Sequence, residues 1–119
     1  MSRIIIATLI GLLGVGLASP GWAGSNLLQW QDNSGNEANF HIERKAEACG
    51  GLGLFAEIAV VGAQVVTFRD AAVREGDTYC YRVLASNPAG KSGPSNEASR
   101  TVPFTIPAAP SDLGVTAGP

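Results

Sequence analysis

The run from Gly76 to Asn87, GDTYCYRVLASN, constrains the fold most, because apolar side chains recur in it at every second position. A period of two places alternate side chains on one face of a β-strand, so the run predicts a half-buried strand. Shorter runs with the same alternation precede it: LLQWQDNS (27–34), ANFHIERK (38–45), FAEIAVVG (55–62) and VVTFRD (65–70). No segment after residue 23 has the i, i+3, i+4 spacing of an amphipathic helix, and the sequence therefore predicts an all-β fold.

The first 23 residues have the layout of a secretory signal peptide. Arg3 precedes an apolar run from Ile4 to Ala18, and a small-residue cleavage site ends at Ala23. The sequence therefore predicts export, to the cell surface, the periplasm or the medium, of a mature chain that begins at Gly24 and has no membrane span. An uncleaved membrane anchor is the less favoured alternative, because the apolar run is shorter than the roughly 20 residues that a spanning helix needs.

The charge balance argues against nucleic-acid binding. The chain has 8 Lys and Arg against 10 Asp and Glu, a formal net charge of −2 at pH 7. Removal of residues 1–23 removes only Arg3 among the charged side chains. A mildly acidic chain without a cluster of basic residues lacks the electrostatic footprint of a nucleic-acid-binding protein.

Residues 26–103 resemble a fibronectin type III domain. The resemblance rests on Trp30, on the spacing from Gly76 to Tyr79 and on the NPAG turn at 87–90, which follow in family order. It implies an immunoglobulin-like β-sandwich over residues 24–103, with Tyr79 as a tyrosine corner whose hydroxyl bonds an upstream backbone group. The core positions are Trp30, Phe40, Ile42, Phe68, Tyr79, Tyr81 and Val83. Val66 is also expected to point inward, whereas His41, Glu43 and Lys45 are expected to face water.

The chain departs from the family pattern at both ends. Nothing between the expected cleavage site and Leu27 corresponds to the family's N-terminal strand A, so this strand is expected to be missing. The Pro/Ala/Gly-rich tail, residues 104–119, contains IPAAPSDLGVTAGP (106–119), which is similar to the linker and strand A that open a following domain.

In the family arrangement, Cys49 lies just past one central strand and Cys80 near the start of its antiparallel neighbour. The resemblance therefore implies a disulfide between Cys49 and Cys80, which an exported chain can form. A metal-binding or redox thiol pair is disfavoured, because the chain has one histidine and no C-x-x-C motif.

The sequence indicates no catalytic residue, cofactor site or metal site. His41 has no nucleophile motif beside it, and the polar stretch 32–37 is explained by turn chemistry rather than by calcium binding, because it lacks a closing bidentate glutamate. In the turn at 87–96, where some relatives have an Arg-Gly-Asp tripeptide, this chain has Lys91, which could contact an acidic partner.

The leading functional hypothesis is an exported, non-catalytic module for protein–protein contact or spacing. One alternative is a fragment or accessory module of a larger secreted hydrolase. Another is a strand-donating fibre subunit, in which the tail supplies the missing strand A through alternating Leu113 and Val115. The partner is unknown, and another copy of the chain is one candidate.

Overall fold

A computed structural model describes the backbone of residues 4–12 and all of residues 24–119. The predicted cleavage site after Ala23 lies outside the described residues. Within them the chain forms eight strands and no helix: β1 (Ile4–Leu12), β2 (Ser25–Asp32), β3 (Asn39–Lys45), β4 (Ala56–Gly62), β5 (Thr67–Asp70), β6 (Thr78–Asn87), β7 (Gly90–Lys91) and β8 (Ala98–Thr101).

The strands form two antiparallel sheets that enclose one core. One sheet has the order β1-β2-β5, and the other has the order β4-β3-β6-β7, with β8 pairing with β6. The predicted all-β sandwich is confirmed. The longest strand, β6, carries the Tyr79-to-Ala85 alternation that identified it in the sequence, and all four of these apolar side chains are buried.

The core lies between the sheets and is built from the inward faces of β2, β3 and β6. Its buried apolar side chains are Leu28, Trp30, Phe40, Ile42, Val73, Tyr79, Tyr81, Val83, Ala85 and Val102. The rings of Trp30 and Phe40 meet edge to face with centroids 5.7 Å apart, a geometry that aromatic quadrupoles favour. Phe68 is half-buried against this cluster. The expectation for Val66 is wrong: it precedes β5 and its side chain is exposed, because the strand begins only at Thr67.

The expectation that strand A is missing is corrected for the full-length chain. β1 pairs antiparallel with β2 over its whole length, from Ile4 opposite Asp32 to Leu12 opposite Ser25. Residues 4–12, the described part of the apolar run predicted for the leader, thus occupy the strand-A position. A nine-residue run rich in β-branched residues satisfies the backbone groups of an otherwise open edge.

The two sheets are also joined by a buried polar network. Asn26 Nδ2 donates to the Tyr81 hydroxyl at 2.9 Å, and this hydroxyl donates to Asp70 Oδ2 at 2.6 Å. Arg44 Nη1 donates to the same carboxylate oxygen at 2.8 Å, and Arg100 Nη1 donates to Asn26 Oδ1 at 2.8 Å. Each side chain of this network therefore has a partner, as burial requires.

Candidate interaction surfaces

The outer face of the larger sheet carries a linear array of three side chains from three strands. His41 on β3 lies between Glu57 on β4 and Ser86 on β6, with Nδ1 2.6 Å from Glu57 Oε1 and Nε2 2.7 Å from Ser86 Oγ. With a neutral imidazole, Nδ1–H donates to the carboxylate and Nε2 accepts the serine proton. The same order of groups activates the serine of many hydrolases. The Glu57 side chain is 42% exposed, however, and Ser86 lies within a regular strand.

A second group on this face surrounds the ring of Phe55. Arg82 lies over the ring at 4.1 Å from its centroid, and Lys45 lies over it at 5.1 Å. Arg82 Nε also donates to Glu43 Oε1 at 2.6 Å across the β3–β6 pair. Lys45 Nζ is also paired, at 3.7 Å from Glu47 Oε1. Two cations therefore lie on one aromatic ring, and each is paired to a carboxylate.

The predicted disulfide between Cys49 and Cys80 is confirmed, with Cα atoms 5.0 Å apart. It fastens the loop at 46–55 to the start of β6. The expectation that Lys45 faces water is wrong: its side chain is buried because the same loop folds over it, and Nζ donates to the carbonyls of Cys49 and Gly51 at 2.9 and 2.8 Å. The carboxylate of Glu97 lies near both sulfur atoms, but sulfur atoms bonded to each other are not available as metal ligands.

One end of the sandwich, called the basal pole here, is where β2 and β6 begin and β8 ends. Thr78 pairs with Thr101 there, and Arg100 reaches Asn26 across the sheets. The disulfide loop and the start of the tail both emerge at this pole. They display exposed apolar side chains: Leu52, Leu54, Phe104 and Ile106.

Gly76 explains how the tail leaves the basal pole. Its φ is +85°, and a Cβ at this position would collide with the Phe104 ring, so a glycine permits both the turn and the contact. Thr105 Oγ1 donates to Glu75 Oε1 at 2.5 Å, which fixes the first residues of the tail.

Leu113 and Val115, the predicted strand-donor positions, lie further along the tail and are 97% and 94% exposed. Asp112, immediately before Leu113, has a φ of +56°, a left-handed conformation that is uncommon for a residue other than glycine. No hydrogen bond joins residues 106–119 to any other part of the described chain, and the structure does not bring Leu113 and Val115 to their own sheet edge.

Lys91 lies on β7 and is exposed. The turn that carries it is fastened to β6, because the hydroxyls of Ser92 and Ser95 each accept a backbone N–H from β6, at 2.9 Å. The opposite end of the sandwich, called the apical pole here, therefore presents Lys91 on a fixed turn.

The polar stretch at 32–37 also lies at the apical pole and forms a turn. Asp32 Oδ1 accepts the Ser34 amide at 3.1 Å, and Ser34 Oγ donates to Glu37 Oε2 at 2.5 Å. A hydrogen bond between the two carboxyl groups raises the pKa of Asp32 and lowers the pKa of Glu37. The hydrogen bonds of Ser34 to both carboxylates are the self-contained turn bonding that Asx and Ser residues favour.

Sequence reasoning identified His41 but missed Glu57 and Ser86 as its partners. Alternation placed Glu57 on a strand, yet its contact with His41 depends on a register shift between β3 and β4 after Ile42. Ser86 lies 45 residues from His41 along the chain. The one signal in the sequence that could have indicated the array is that His41, Glu57 and Ser86 are all polar residues at outward strand positions.

Comparisons with known proteins support the fold and leave the family open. No family model matches the chain, and no curated protein matches it. Among solved structures, the pectate lyase PelI of Erwinia chrysanthemi matches with a TM-score of 0.61 at 23% identity, over 82% of this chain and 27% of that chain. A myokine structure matches with a TM-score of 0.61 at 15% identity, over 87% of this chain and 98% of that chain. Titin domains A168–A170 match with a TM-score of 0.59 at 16% identity, over 87% of this chain and 32% of that chain.

These similarities establish an immunoglobulin-like β-sandwich. The chain spans less than a third of the length of PelI, and at these identities the likeness concerns the fold alone. Within the described residues, no helix has the length and apolarity needed to cross a membrane.

Proposed function

We propose that this chain is an exported, non-catalytic module of the fibronectin type III type that makes protein contacts or acts as a spacer, at the cell surface or outside the cell. The observation that carries the proposal is the pairing of Cys49 with Cys80 in a small β-sandwich behind a predicted leader. Disulfides persist in oxidising compartments and are rare in the cytosol.

The apolar side chains at the basal pole support a role in protein contact. Leu52 and Leu54 extend from a loop that the disulfide and Lys45 hold in place, and Phe104 and Ile106 lie beside the chain's exit at the same pole. Several exposed apolar side chains on one part of a surface often mark a site of protein contact. A neighbouring domain or a separate protein docked here would cover them.

The export component is tested by expressing the full-length chain in a bacterium and measuring the intact mass and location of the product. We expect a processed, non-reduced protein beginning at Gly24 outside the cytoplasm. Cytoplasmic protein with an intact leader and two free thiols would overturn the proposal.

The contact component is tested by chemical cross-linking on intact cells of the native host. Leu52→Asp combined with Leu54→Asp should abolish the cross-linked species. Val60→Asp, a matched change of an exposed apolar residue on the face of β4, should leave them unchanged. Equal yields of the cross-linked species from the Leu52→Asp/Leu54→Asp and Val60→Asp variants would exclude the basal pole as the contact site.

In a non-catalytic module, the Glu57–His41–Ser86 array has a structural role: its hydrogen bonds link three neighbouring strands. The exposure of the Glu57 carboxylate supports this, because the acid of a serine-hydrolase triad is buried. A fluorophosphonate probe, which labels activated serines, should not modify Ser86. Stoichiometric labelling that is lost in His41→Ala would overturn the non-catalytic assignment.

A second candidate function is that of an accessory module in a larger secreted hydrolase. The observation that favours it is the match to pectate lyases, since Pel3 from Pectobacterium carotovorum also matches, with a TM-score of 0.63 over 92% of this chain and 29% of that chain. The apolar basal pole would then face a catalytic domain. Sequencing of the gene and transcript beyond Pro119 tests this, and an in-frame catalytic domain would favour it over a free-standing module.

A further inference from the structure

We propose that the outer edge of β2 becomes a strand-acceptor site when the leader is removed, and that residues 113–117 of a second copy of this chain occupy it. The inference rests on the proposed export of the chain, and it gives the strand-donor hypothesis a site, a direction and a register.

The structure shows that the β2 edge accepts a strand. In the full-length chain β1 lies antiparallel to β2, whose other neighbour is β5. All of β1 belongs to the segment that the leader prediction removes. Its loss would leave a two-stranded sheet with the backbone groups of one β2 edge unpaired, and unpaired edges recruit strands.

The register of β1 specifies what a replacement strand must carry. Opposite the inward residues Trp30, Leu28 and Asn26 of β2 stand Ile6, Leu9 and Gly11, a sequence of large, large and small residues. Trp30 and Leu28 are core residues and Asn26 belongs to the buried polar network. A strand that repeats this size order would fit the same positions.

The tail has this order at alternate positions. Leu113, Val115 and Ala117 would lie opposite Trp30, Leu28 and Asn26 in an antiparallel strand without a bulge. Gly114 and Thr116 would then lie on the outer face. Pro110, which cannot donate a ladder hydrogen bond, precedes the segment. Asp112 has a positive φ, which is not a strand conformation, so the donor strand would begin at Leu113.

The direction of the chain favours a second copy over self-closure. A replacement for β1 must enter at the apical pole, where Ile4 pairs with Asp32, and run toward Ser25. The tail leaves its own domain at the basal pole. To pair with its own β2 in this direction, it would have to extend along the full length of β2 to the apical pole and then turn back. A second copy whose apical pole faces that basal pole receives the tail directly. This contact is heterologous and produces open chains of molecules.

Cysteine cross-linking of the processed, secreted protein tests the register. The proposal places Gly114 opposite Gln29, with neighbouring Cβ positions, and nothing lies within 4 Å of a Cβ at Gly114. The double variant Gln29→Cys/Gly114→Cys should form a ladder of disulfide-linked multimers in air. The matched control Gln29→Cys/Gly118→Cys, displaced by four residues, should yield at least tenfold less. Free thiols in both variants, or an internal cross-link within a monomer, would overturn the proposal.

Sedimentation velocity on the processed protein without added cysteines provides the second test. The sedimentation coefficient of the parent should rise with concentration. It should stay at the monomer value for Leu113→Asp/Val115→Asp, and Val60→Asp, a change at an exposed apolar residue of β4 outside the donor segment and the basal pole, should behave as the parent. A processed, disulfide-bonded parent that stays monomeric at all concentrations would exclude strand donation and leave the export proposal intact. An unprocessed, reduced protein would instead contradict export.

Discussion

The hydroxyl of Tyr81 on β6 donates a 2.6 Å hydrogen bond to the Asp70 carboxylate at the end of β5, and so joins the two sheets of the sandwich. The ring is completely buried; Asn26 donates to the Tyr81 hydroxyl, and Arg44 and the Ala72 amide donate to the Asp70 carboxylate. A buried carboxylate is tolerated only when it is bonded in this way.

Removal of the Tyr81 hydroxyl should therefore destabilise the fold. Tyr81→Phe leaves Asp70 with one donor fewer, and hydrogen bonds to charged groups contribute about 1.5–3 kcal/mol. The matched control is Tyr79→Phe, which removes the bond from the Arg74 amide to the Tyr79 hydroxyl at 2.9 Å and a long 3.5 Å contact of this hydroxyl to Asp77 Oδ2, and should cost about 0.5–1.5 kcal/mol. Urea unfolding of both variants measures the difference. Equal losses would mean that the Asp70 contact contributes nothing beyond an ordinary hydrogen bond.

The same contact predicts a loss of stability at alkaline pH. Burial, and then the hydrogen bond to Asp70, raise the pKa of Tyr81 above its ordinary value of 10.0. The stabilisation is fully present below pH 10, and it decreases as the pH rises further, because the unfolded chain releases the tyrosine proton first. The free-energy difference between the parent and Tyr81→Phe should therefore shrink between pH 9 and pH 11. A constant difference would contradict the raised pKa.

The Cys49–Cys80 disulfide should account for a large part of the stability. It closes a loop with a sequence separation of 31, for which the chain-entropy model gives roughly 3–4 kcal/mol. Cys49→Ala/Cys80→Ala should lower the free energy of unfolding by about this amount, and reductant should affect the parent but not the variant. Quantitative thiol labelling of both cysteines in the native, non-reduced protein would disprove the bond.

Trp30 should tolerate phenylalanine better than alanine. Its ring is buried against Phe40, whereas its indole Nε1 finds no hydrogen-bond acceptor in the described part of the chain. Trp30→Ala should lower the free energy of unfolding by about 3–5 kcal/mol. Trp30→Phe should lose only a small part of this stability, because it keeps an aromatic ring and removes the unpaired donor. The control Phe104→Ala, at a side chain that is 79% exposed, should change little. Urea melts that overlay for Trp30→Ala and the parent would refute the placement of Trp30 in the core.

The turn at 32–37 should not bind calcium with physiological affinity. Its carboxyl groups and its serine bond one another, and it lacks the closing bidentate glutamate of a calcium loop. Thermal midpoints in millimolar calcium and in chelator should coincide. An increase of several degrees with calcium, absent in Asp32→Asn, would show that the turn is a calcium site.

Alternation along the sequence was sufficient to place most strands within one or two residues. β3, Asn39–Lys45, matches the run predicted at 38–45 to within one residue, because Phe40 and Ile42 alternate with polar residues and this pattern is a local property of a strand. β5 was predicted too long, since Val66 continues the apolar pattern but pairs only through its carbonyl with the Trp30 amide. Periodicity does not show where pairing between strands stops.

The sequence by itself determined the fold class, the inward residues of the central strands and the pairing of the only two cysteines, because these follow from local periodicity and from the strand order of the fibronectin type III domains that it resembles. The tertiary structure alone decided the polar contacts, such as that between Asn26 and Tyr81, 55 residues apart. It also decided that residues 4–12 cover the β2 edge. Such contacts depend on which strands become neighbours and in what register, and a one-residue shift in register would turn every side chain of a strand to the other face.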